Sequence, residues 1–125
     1  MKDWTVIRAR YLRDNLAIRL GGLAANLARI ASFSDHVDHK SAVRDLLVES
    51  EYFIEWLAPD ASLEVQAELV NLQVQLARWI VRLEQDWLDV GIRHQMASLA
   101  KQWSHEMLER SGLFNARETA EIVRP

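Results

Sequence analysis

One stretch, Trp4 to Ala31, constrains this chain more than any other, because it is apolar on two opposite sides at the helical period. Projected at about 100° per residue, Leu12, Leu16, Leu20, Leu23, Leu27 and Ile30 fall on one stripe. Trp4, Ile7, Tyr11, Ile18 and Ala25 fall on a second, nearly opposite. Between them runs a row of small side chains, Ala17, Gly21, Ala24 and Ala28. Only a narrow band, Arg8, Asn15, Arg19 and Asn26, is polar from end to end. A surface helix needs one apolar stripe. Two stripes and a smooth seam call for partners on several sides, so the stretch predicts the central rod of a helical domain.

The rest of the chain fits that rod. Gly (four) and Pro (two) are scarce in 125 residues, so helix formers meet little punctuation. The length suits one domain that buries roughly two-thirds of its unfolded surface. The first helix is expected from about Asp3 to Phe33, with Gly21-Gly22 inside it. Each glycine costs about 1 kcal/mol relative to Ala; close approach of another backbone along Ala17, Ala24 and Ala28 would compensate. Ser34 to Asp38 reads as a connector, with Asp35 or Asp38 available to cap the next helix. A second helix spans roughly His39 to Ala58 and stops before Pro59. A third opens near Asp60 or Ser62 and continues to about Val90, with Gly91 as its stop. It too has two apolar stripes: Val65, Leu69, Leu72, Leu76, Trp79, Ile80, Leu83, Trp87 and Val90, and Leu63, Val70, Val74, Ala77, Val81 and Leu88. A fourth runs from about Arg93 to Ser111 and ends at Gly112. A short fifth helix or a tail follows over residues 116–123. Short connectors between four helices predict an all-α, antiparallel up-and-down four-helix bundle.

Charge is unevenly spread along the chain. Residues 1–33 carry six basic groups against two acids (+4), and residues 34–68 two against nine (−7). The remainder carries seven of each sign, giving −3 for the whole. A basic first helix beside an acidic second one mutes any anion-attracting field, so no nucleic-acid partner is expected. The absence of Cys excludes a disulfide framework and fits a reducing cytoplasm. Charges throughout the first fifteen residues are unlike a signal peptide. No uninterrupted apolar run reaches the length of a membrane span. The expected location is the cytoplasm, without a membrane.

Candidate chemistry is thin. Asp35, His36, Asp38 and His39 have ligand spacing, yet connectors and caps share this composition, and no metal or cofactor is expected. No Glu-x-x-His occurs, which removes the di-iron carboxylate pattern. Glu51 and Glu55 sit one turn apart, as solvated or salt-bridged helix residues commonly do. Ser104, His105 and Glu106 are consecutive helical residues pointing about 100° apart, so they form no relay. Arg19, in the band with Arg8, is expected either to pair with Glu51 or Glu55, or to form with Asn15 and Asn26 a pocket for an anionic ligand or a partner segment.

The excess of apolar surface points instead to association. Of five Trp, Trp79, Trp87 and Trp103 lie on core stripes, whereas Trp4 and Trp56 lie on secondary ones. Trp4, Tyr11, Ile18, Tyr52 and Trp56 are therefore the expected partner-binding residues. The reading is a non-catalytic interaction or scaffold bundle that forms a homodimer. A rival comes from Arg29 and His36, which look like the Arg-then-His pair of the HEPN helical ribonucleases in spacing alone. Ile30 stands where that family carries a polar residue, and the match spans eight residues. The likeness would imply an RNA-cleaving or nucleotide-binding bundle using that pair.

Overall fold

The computed structural model describes residues 2–113, and every regular element among them is helical. The elements are α1 (Trp4–Arg13), α2 (Leu16–Phe33), α3 (Lys40–Leu57), α4 (Leu63–Asp86) and α5 (Val90–Ser111). Single 3-10 turns lie at Val37–His39 and Ala58–Asp60. The helix expected over 116–123 falls outside the described residues.

The rod expected from Asp3 to Phe33 is two helices. Asp14 is extended (ψ 152°) and closes α1, while the Asn15 side chain accepts from Ile18 N at 3.0 Å and starts α2 afresh. The break falls at two strong capping residues, not at the glycine pair. Tyr11 bridges it, its hydroxyl donating to the Arg19 carbonyl at 2.7 Å.

Other boundaries shift for the same local reason. Asp35 and Asp38 cap nothing: α3 begins after the 3-10 turn with no side-chain cap. Ser62 caps α4 through Val65 N. Gly91 does not end α4, which stops at Asp86; Asp89 accepts from Ile92 N at 3.1 Å, so Gly91 falls in the first turn of α5. Gly112 does terminate α5 in the left-handed conformation (φ 75°), where glycine is least strained.

Packing runs α2 on α3, α3 on α4, α4 on α5 and α5 on α2, with α1 laid against α3. The closest approach is α2 on α5. There Ala24 is buried and its carbonyl accepts from Ser104 Oγ at 2.7 Å, so the row of small side chains does bring two helix backbones together. Leu23, Leu27 and Ile30 of α2, Val43 and Leu47 of α3, Leu72 and Leu76 of α4, and Met107 of α5 are wholly buried at the centre. By length and composition alone α2 could cross a bilayer, because its polar residues interrupt apolar runs without lowering their average much. Within the fold 39 % of that helix is buried.

Candidate functional site

The aromatic residues expected at a partner surface largely meet one another inside one chain. α1 brings Trp4 and Tyr11 onto α3, which presents Tyr52, Phe53 and Trp56 at helical spacing. Tyr11 stacks on Phe53 with ring centroids 4.0 Å apart, and Trp4 lies 4.3 Å from Tyr52. Trp56 is flanked by Tyr52 and Tyr11 at 5.5 and 6.0 Å. Lys2 Nζ sits over the Trp4 ring at 5.4 Å. Tyr11 is buried, Trp4, Tyr52 and Trp56 are half-buried, and only Ile18 of the five remains largely outside at 47 % exposure. Burial raises the Tyr11 phenol well above its usual range, so its hydroxyl remains a donor to Arg19 throughout the physiological range.

The polar band dissolves into four separate tasks. Arg8 is exposed and Asn15 caps α2. Arg19 is 6 % exposed and pairs with neither Glu51 nor Glu55. Its Nε donates to the Asp14 carbonyl at 3.1 Å, and Nη1 lies 3.0 Å from Asp60 Oδ2, an ion pair outside hydrogen-bond alignment. The break after α1 leaves the Asp14 carbonyl to accept from Arg19, whose guanidinium also reaches Asp60 in the α3–α4 connector. Asn26, 2 % exposed, donates to Glu49 Oε1 at 3.1 Å and accepts from Arg29 Nη1 at 3.0 Å. Lys2 completes that chain on Glu49 at 3.1 Å. These groups form no common anion pocket.

Sequence reasoning passed over Arg93. It is 7 % exposed and forms no ion pair among the described residues. Its Nε donates to the Ser34 carbonyl (3.2 Å) and Nη1 to the Trp87 carbonyl (2.8 Å), the caps of α2 and α4. The guanidinium also lies 5.5 Å from the Trp87 ring centre, and Trp87 Nε1 donates to Val37 O at 2.6 Å. Two helix C-termini, each the negative end of a dipole, thus meet one buried cation. A signal was present: Arg93 is in phase with the buried Met96 and Ala100.

Among the described residues the carboxylates and imidazoles lie in separate places, with Glu51 and Glu55 lining one groove beside Tyr52 and Gln73. Glu51 Oε1 is buried without a hydrogen-bond partner, and burial raises its pKa, with the Gln73 amide offsetting part of the effect. Glu55 is exposed. Glu84 is held below the usual carboxylate range by bonds from Lys40 (2.8 Å) and Arg44 (2.5 Å). His36 and His39 stand edge to face at 5.3 Å, with Phe33 5.2 Å from His39. Among the described residues no three His, Asp or Glu side chains converge as metal ligands would. Arg29 is engaged with Asn26, whereas His36 is exposed in the connector beside His39. His94 is exposed, and His105 Nε2 lies 3.3 Å from Glu109.

Surface grooves run along α5. One of about 410 Å³ is lined by Glu68, Leu99, Gln102, Trp103 and Glu106; another of about 530 Å³ lies between α2 and α5 over Ala28, Ala31 and Ala97. Neither gathers the perturbed or orphaned polar groups described above. The outer side of α4 is different. Leu63, Val70, Val74 and Val81 are exposed at 83, 58, 48 and 74 %, and Leu88 just beyond the helix at 79 %. Comparison with known protein families, with curated proteins and with solved structures finds no match to this chain.

Proposed function

We propose that this chain is a non-catalytic protein–protein interaction or scaffold domain that self-associates as a homodimer in the cytoplasm, without cofactor or membrane. Its architecture on this reading is an antiparallel, up-and-down four-helix bundle of α2 to α5, with α1 as an added arm on α3. The observation that carries the proposal is the row of large apolar side chains left outside on α4. Scattered surface leucines and valines are ordinary, but a contiguous row on one helix is the mark of an interface. A second observation supports it: the buried arginines and the polar residues of α2 are occupied in structural ties. Arg19 and Arg93 hold helix ends, and Asn26 and Arg29 hold α2 to Glu49 of α3. Ile18 and the open sides of Trp4, Tyr52 and Trp56 remain accessible as lesser contacts, whereas Tyr11 does not.

Light scattering at micromolar concentration tests the reading. The expected mass is twice the 14.4 kDa of one chain, and a monomer removes the proposal. Incubation with RNA tests the rival. Cleavage by the wild type that disappears in His36→Ala would put a ribonuclease in its place; intact RNA is expected.

A further inference from the structure

The exposed residues of α4 are not merely numerous; they are spaced. Leu63, Ala67, Val70, Val74, Ala77 and Val81 follow one another at intervals of four, three, four, three and four. This is an apolar repeat of 3.5 residues, the period that keeps a seam facing a second helix over its whole length. Val65, Leu69, Leu72, Leu76, Trp79 and Leu83 repeat the same intervals on another side of α4, facing its own fold. α4 therefore carries two seams, and its own chain fills one.

The geometry points to a second copy of this chain as the occupant of the outer seam, with the two α4 helices packed antiparallel about a two-fold axis. The inference rests on the self-association proposed above and names its surface and orientation. The argument for orientation is charge. The next seam position after Val81 is Glu84, 60 % exposed at its side chain and bonded to Lys40 and Arg44 of its own chain. Parallel pairing would set it against the partner's Glu84, like charge on like charge. Antiparallel pairing sets Glu84 against the partner's Ala67, Val70 against the partner's Val81, and Val74 against the partner's Ala77. Leu63 then meets the partner's Leu88 at either end. Every large apolar group on the seam gains an apolar counterpart, and no carboxylate faces another. The area also suffices. The five large residues are 48–83 % exposed, and covering them in full in both copies would reach on the order of 1,200 Å², where specific interfaces begin.

The test uses the full chain and exploits its lack of cysteine. Val74→Glu with Val81→Glu should give a monomer by light scattering with unchanged helical circular dichroism, since both side chains are exposed. Val70→Cys combined with Val81→Cys should form an inter-chain disulfide on mild oxidation, while Val81→Cys alone should not. Within one helix these positions are about 16 Å apart and cannot bridge. A dimer that survives the double glutamate variant overturns the seam and leaves self-association standing on another face. Cross-linking by Val81→Cys alone overturns the antiparallel arrangement. A wild-type monomer overturns both this inference and the reading beneath it.

Discussion

Arg93 lies in a core register, and its charge is met by carbonyl dipoles instead of a carboxylate. Removing it leaves the Ser34 and Trp87 carbonyls buried and unpaired, at about 1–3 kcal/mol for each unsatisfied group. Arg93→Met should therefore lower the unfolding free energy by roughly 2–4 kcal/mol in urea titrations while preserving helix content. Glu51 acts in the opposite sense. Its folded pKa is raised above 4.5 by burial, so the folded protein favours the protonated acid. The associated cost is absent at pH 3 and grows as pH rises from the ordinary carboxylate value through the raised one. Glu51→Gln should be more stable than wild type at pH 7, and that advantage should vanish near pH 3. Urea midpoints at the two pH values check the sign.

At the scale of elements, two residues decide what periodicity alone misjudged. Apolar phase carries straight through Asp14 and Asn15, because a kink between two helices preserves most of the pattern on either side. The cap overrides it: Asn15 accepts from Ile18 N, and the break so formed leaves the Asp14 carbonyl to accept from Arg19. Asn15→Ala should cost about 1 kcal/mol, the usual value of a lost N-cap, as read from thermal or urea unfolding. The glycine pair behaves differently. A Cβ on Gly22 would sit 3.7 Å from Tyr11 Cε1, an ordinary contact, whereas one on Gly21 would meet Leu113 Cδ1 at 3.0 Å. Gly22→Ala should thus stabilise the protein by about 0.5–1 kcal/mol through helix propensity, and Gly21→Ala should gain less because Leu113 must give way.

For the molecule as a whole, the two-stripe pattern of the first stretch has a tertiary answer within one chain. α1 folds back onto α3, and Trp4 and Tyr11 find Tyr52, Phe53 and Trp56 there. The two-stripe pattern of α4 has no such answer, since α1 lies on α3 and leaves the outer side of α4 open. On the proposed reading, folding and association are linked. The unfolding midpoint should then rise with protein concentration, by several degrees between about 1 and 100 μM, because a second copy binds only the folded state. A midpoint independent of concentration would separate folding from self-association.

The all-helical class, the helix ends near Pro59 and at Gly112 and the smooth face of α2 were legible in the sequence, because they follow from propensity, capping and side-chain size, which act within a turn or two; that α5 would be the helix to cover that face was not. Nor was the destination of each charged group. Arg19 reaches Asp60 across 41 residues of chain, and Arg93 reaches the end of α2 across 59 while also holding the end of α4 six residues away. Those pairings depend on the direction in which the helices are turned. The spacing showed that α1 and α4 each had an apolar side to spare; only the three-dimensional path of the backbone decided that α1 would cover its own and that α4 would leave one in water.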